Sequence, residues 1–116
     1  MANFKELLVW QKSISFVTEI YQLTNVFPKD EMYGLTSQIR RASISIPSNI
    51  AEGNSRRSVA DYLQFLKIAR GSSAEIETQL IIAKNLKFLS EENYLKLNQD
   101  ITEISIMLNG LINSLK

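Results

Sequence analysis

Residues 58–83 read SVADYLQFLKIARGSSAEIETQLIIA. Within them Tyr62, Leu66, Ala69, Ser73, Ile76, Leu80 and Ala83 recur at steps of four and three, the spacing that stacks side chains on one face of an α-helix. Leu63, Phe65, Ile68 and Ile81 widen the apolar arc to roughly 220°, about twice the ~100° that a surface helix needs to pack. Such a helix is either central or covered on two sides. Gly71, Ser72 and Ser73 lower helix propensity, but small side chains also let a neighbouring element come close. Ser58 with Asp61 three residues on has the form of a capping box, with Asp in place of Glu.

The same period governs the rest of the chain. Towards the N-terminus, Leu7, Trp10, Ile14, Val17 and Tyr21 form one stripe, and Val9, Phe16, Ile20, Leu23 and Phe27 form a second, about 120° away at 100° per residue. One stripe suffices to pack inside a bundle, so two stripes ask for two partners. Pro28 ends this helix, because it disfavours helical geometry in the residue before it. A second helix, starting within residues 30–34, carries Leu35, Ile39, Ala42, Ile46 and Ile50. Pro47 interrupts its hydrogen bonding, yet the apolar period continues through Ile50, so a kinked helix is predicted rather than a break. Ser43, Ser45 and Ser48 can offer hydroxyls to the disturbed turn, and Gly53 is placed to terminate it. After residues 58–85, Ser90 as N-cap with Glu91 and Glu92 starts a fourth helix. It carries Tyr94, Leu97, Ile101, Ile104, Leu108, Leu111 and Leu115.

Four helices joined by short loops predict an all-α fold: a single domain over residues 1–116, an antiparallel up-down four-helix bundle about 30–40 Å long. A helical-repeat solenoid is the weaker alternative, since no repeat period supports it. The surplus apolar surface of the first and third helices predicts a homo-oligomer. Val9, Phe16, Ile20 and Leu23, with the outer side of the third helix, are the candidate oligomer interface.

Composition narrows the function. The 116 residues contain no Cys and no His. Disulfides, thiolate metal sites and cysteine nucleophiles are therefore excluded, and with His go the commonest metal ligand and general base. No catalytic residue, cofactor or metal is predicted; a di-metal carboxylate bundle would need Glu-x-x-His pairs. No apolar run is long enough to span a bilayer, and the N-terminus has no signal-peptide pattern, so a cytoplasmic location and no membrane partner are expected. Net charge is only +1, but all five Arg fall between positions 40 and 70, and residues 38–72 carry +4. Arg40, Arg41, Arg56, Arg57, Lys67 and Arg70 are thus candidate nucleic-acid-binding residues, suited to phosphate contacts. The bland reading of the same residues is a solvated face, or pairing between subunits. Asn49 and Glu52 stand close to core positions, so they either fix the Pro47 turn, with Arg56 or Arg70 as partner for Glu52, or form a polar binding site. The architectural reading is preferred.

Trp10-Gln11-Lys12, Gln38-Ile39-Arg40-Arg41-Ala42, the run from Ser45 to Gly53 and Phe65-Leu66-x-Ile68-Ala69-Arg70-Gly71-Ser72 resemble, in order and spacing, the bacterial four-helix-bundle proteins encoded in intervening sequences of 23S ribosomal RNA genes. The run Ser-Ile-Pro-Ser-Asn-Ile-Ala-Glu-Gly is the most specific part, and Pro47, Ser48, Asn49, Glu52 and Gly53 are its structural motif. The resemblance implies a homopentameric ring, like the accessory variability protein of diversity-generating retroelements, a relative that binds nucleic acid and a reverse transcriptase. Two functions follow as expectations. The first is a non-enzymatic oligomer that contacts RNA or DNA through repeated Arg-rich faces. The second is a structural or protein-interaction module with no nucleic-acid role.

Overall fold

A computed structural model describes residues 3–116. Helix α1 spans Leu8–Thr24, α2 Leu35–Asn54, α3 Val59–Asn85 and α4 Glu91–Leu115, with 3-10 turns at Phe4–Glu6 and Lys29–Glu31. There is no strand among the described residues.

The serine caps form as the sequence predicts. Ser58 Oγ accepts the Asp61 N–H at 3.1 Å and Ser90 Oγ accepts the Asn93 N–H at 3.1 Å, each satisfying a donor that the helix itself leaves unpaired. Helix α2 starts differently. The Glu31 carboxylate accepts the Leu35 N–H at 3.0 Å, which sets a negative charge at the positive end of the helix dipole. Helix α1 stops at Thr24, before Pro28, yet Phe27 is still buried and its ring meets that of Phe88 at 5.6 Å.

Pro47 lies inside α2, which runs on through it to Asn54. The Asn49 amide donates to the Ser45 carbonyl at 2.7 Å and to Ser45 Oγ at 2.9 Å, a side-chain tie across the turn that follows the carbonyl of Ser43, which the proline leaves without its helical donor. Gly53 does not end the helix. It is buried in the last turn, and a Cβ there would stand 2.8 Å from Phe65 Cβ and 2.9 Å from Tyr62 Cδ1. The missing side chain lets α2 and α3 close on each other where they join. The turn from α3 to α4 places Lys87 at φ 63. The Phe88 N–H bonds to the Ala83 carbonyl and the Lys87 N–H to the Lys84 carbonyl, both at 2.9 Å, the paired bonds of a Schellman motif with Lys where Gly is usual.

Helix α2 packs against α1 and α3, and α4 packs against α3 and α1. Cross-helix pairs run in opposite order along their helices. Lys12 meets Glu103 while Glu19 meets Lys96; Ser45 meets Ser72 while Asn54 meets Tyr62. The described chain measures 43 × 24 × 20 Å. Ile39, Ile46, Ile50, Leu66, Ile76, Leu80, Ile101 and Leu108 are completely enclosed, each stabilising the fold by about 1.5–3 kcal/mol through removal of apolar surface from water.

The two stripes of α1 exchange the roles that the sequence predicts for them. Val9, Phe16 and Ile20 retain 5%, 3% and 1% exposure, and Leu23 is half-buried against the same core. These four are the packing face of α1, so they are not free to meet a neighbouring subunit. Of the other stripe, Leu7 and Trp10 are half-buried against the core, while Ile14 and Tyr21 are exposed. Both stripes are apolar at the same period, and periodicity alone cannot rank them. The buried face carries Ser13 and Thr24, whose hydroxyls donate back to the Val9 and Ile20 carbonyls at 2.6 Å. A polar side chain satisfied within its own helix can sit in a core without a partner elsewhere.

Candidate nucleic-acid interface

The six basic residues fall on different parts of the α2–α3 pair, and their side chains differ in freedom. Arg40 is half-buried between α2 and the end of α1. Its Nε donates to Thr24 Oγ1 at 2.9 Å, its Nη2 donates to Asn25 Oδ1 at 3.2 Å and to the Tyr21 carbonyl at 3.4 Å, and the guanidinium lies 4.5 Å from the Tyr21 ring centre. Arg40 is a clasp between helices. These contacts use Nε and Nη2 on neutral acceptors, so the guanidinium charge has no ion-pair partner among the described residues.

Arg56 pairs with Glu52 at 2.9 Å and lies 4.9 Å from the Phe65 ring centre. Glu52 is exposed rather than buried, and one of its two predicted partners is the observed one. An exposed pair of this kind adds little stability. Arg70 is exposed and donates to Asn109 Oδ1 of α4 at 3.1 Å. Arg41, Arg57 and Lys67 are exposed and make no ion pair among the described residues. From Arg41 to Arg56 along α2 and its end is about 22 Å at 1.5 Å per residue. The six therefore do not converge on one point.

The Ser45–Asn49 stretch of the motif faces α3. Ser45 Oγ accepts from Asn49 Nδ2 and, at 2.8 Å, from Ser72 Oγ. Ser45 and Ser72 form one side of an open pocket of about 480 Å³ lined also by Tyr33, Ser37, Gln38, Arg41, Ala42 and Glu75. Sequence reasoning missed Tyr33 and Glu75. The signal for Tyr33 was a lone aromatic in a polar turn, Met32-Tyr33-Gly34, where no core stripe claims it.

A second groove of about 610 Å³ lies between α1 and α4. Lys12 and Glu103 bridge it, as do Glu19, Lys96 and Asp100. Hydrogen bonds that the Lys96 ammonium donates to Asp100 and then to Glu19 hold it above the ordinary lysine value. With three carboxylates against two ammonium groups, this side of the molecule does not attract phosphate.

Four packed helices, with α2 unbroken at Pro47, define an all-α protein. The family model described as "23S rRNA-intervening sequence protein" matches residues 5–110. The chain belongs to that family. A solved structure similar to it is that of a protein with unknown function from the S23 ribosomal protein family of Bacteroides thetaiotaomicron. The two share 30% identity over 91% of this chain and 96% of that one, with a TM-score of 0.85. No curated protein matches the sequence. No helix of the described residues is long and apolar enough to cross a membrane.

Proposed function

We propose that the chain is a non-enzymatic, oligomeric helical protein: an antiparallel up-down four-helix bundle, copied around a homopentameric ring, that contacts RNA or DNA through repeated arginine-bearing faces. The observation that carries this reading is the freedom of Arg41, Arg57 and Lys67, exposed and without ion-pair partners among the described residues, while Arg70 is held only by a neutral amide. Unneutralised guanidinium and ammonium groups are what phosphate contacts need. Repetition by symmetry turns a few charges per subunit into a sizeable field. Fivefold closure comes from the family resemblance, since packing physics does not choose a subunit number.

The subunit contacts are reassigned to the exposed positions of α1 and the outer side of α3. Ile14 and Tyr21 of α1 and Ile44 of α2 are 41%, 39% and 39% exposed, and on α3 Ile68, Ile81 and Ile82 are 52%, 45% and 43% exposed. Exposed apolar side chains such as these offer surface for association where they adjoin one another. They equally support the second reading, a structural or protein-interaction module with no nucleic-acid role. Light scattering on the purified chain, followed by anisotropy titration with labelled structured RNA at two salt concentrations, separates them. The first reading expects an assembly larger than a monomer and an affinity that falls as salt rises. An assembly that binds no RNA at low salt selects the second.

A further inference from the structure

Tyr33 stands at the α2–α3 pocket with 96% of its surface exposed, more than any other large apolar or aromatic side chain among the described residues. An aromatic ring left in water beside a cavity has no packing role, so truncating it costs the fold little. The cavity's two walls differ in charge. Arg41, unpaired, comes from α2 and Glu75 from α3. Between them lie Ser37, Gln38 and the bonded pair Ser45–Ser72, which supply both donors and acceptors. A volume of about 480 Å³ is within the range of pockets that hold small ligands.

We propose that this cavity takes one unpaired nucleotide of a single-stranded nucleic acid, with Tyr33 stacking on the base, Arg41 holding the adjoining phosphate and the polar walls meeting the base edge. The proposal rests on the nucleic-acid reading above and narrows it to single strands. A phosphodiester carries one negative charge, which one guanidinium matches. A phosphoserine, at nearly two charges, would face the Glu75 carboxylate with only Arg41 to offset it. Bases stacked in a duplex cannot reach a protruding ring, whereas a single strand presents its bases to aromatic platforms of this kind.

The test is anisotropy titration of the intact protein with a labelled 12-nucleotide single strand and with a duplex of the same sequence. The variants are Tyr33→Ala, Tyr33→Phe and Arg41→Gln. Tyr33→Ala should weaken single-strand binding about tenfold or more and leave duplex binding nearly unchanged, while Tyr33→Phe keeps the wild-type affinity. Arg41→Gln should lower the salt slope by about one. Single-strand binding that is unaffected by Tyr33→Ala overturns this site and leaves the broader reading standing. Failure of the wild type to bind either probe overturns both. Tighter binding of free adenosine monophosphate, or of a phosphoserine peptide, than of the single strand overturns the assignment of the ligand.

Discussion

Lys87 and Gly53 invert the usual assignment of residues to backbone positions. Lys87 holds φ 63 at the end of α3, a conformation that costs an L-residue roughly 1 kcal/mol and a glycine almost nothing. Lys87→Gly should therefore raise stability by about 0.5–1 kcal/mol, read as a higher Tm in thermal denaturation. Gly53 is the opposite case: its backbone is ordinary, and the space around it is not. Gly53→Ala must push against Phe65 and Tyr62 and should cost about 1–3 kcal/mol by overpacking. Asn49→Ala removes the amide that ties Ser45 and should cost about 1 kcal/mol, measured by urea denaturation. Capping serines were legible because Ser-x-x-Asp and Ser-Glu-Glu carry their geometry in the sequence. The left-handed Lys87 was not, since nothing local distinguishes that lysine from a helical one. Nor was the role of Arg40, whose partners Thr24, Asn25 and Tyr21 become neighbours only when α1 folds back on α2.

At the level of elements, the number, order and approximate limits of the helices follow from the 3.6-residue period and the caps. The facing of α1 does not, because two apolar stripes fit that period equally well. Burial decides it, and so changes what substitutions on this helix should do. Phe16→Ala opens the core and should cost about 3–5 kcal/mol. Ile14→Glu alters an exposed position outside the α1–α2 clasp. It should leave the far-ultraviolet dichroism near that of the wild type while reducing the assembly mass seen by light scattering. The α1–α4 seam is held on its outer side by Lys12, Glu19, Lys96, Asp100 and Glu103. The pKa of Lys96 is raised by Asp100 and Glu19, so its contribution is complete below the unfolded value of 10.5 and lost only as pH rises through the still higher folded value. Thermal stability from this cluster should thus be flat from neutral pH to about pH 9.5. Lys96→Met should cost no more than about 1 kcal/mol, since the side chains are exposed and solvent-screened.

For the whole molecule, the contrast is between a net charge of +1 and its distribution. The α1–α4 side is bridged by internal ion pairs, whereas Arg41 of α2, Arg57 after it and Lys67 of α3 are left unpaired among the described residues. A sequence count finds the excess of Arg but cannot tell which side chains the fold will engage. Of the six, Arg56 pairs with Glu52, Arg40 and Arg70 are held by neutral acceptors, and Arg41, Arg57 and Lys67 make no ion pair among the described residues. The most direct measurement of the central claim is the slope of log affinity against log salt for a labelled single-stranded RNA, between about 50 and 200 mM. It compares the wild type with the triple variant Arg41→Gln, Arg57→Gln, Lys67→Gln. If these side chains hold phosphates, the wild type shows a steep negative slope, and the triple variant binds more weakly with a slope shallower by about two to three. Equal affinities and equal slopes for the two proteins would contradict the account.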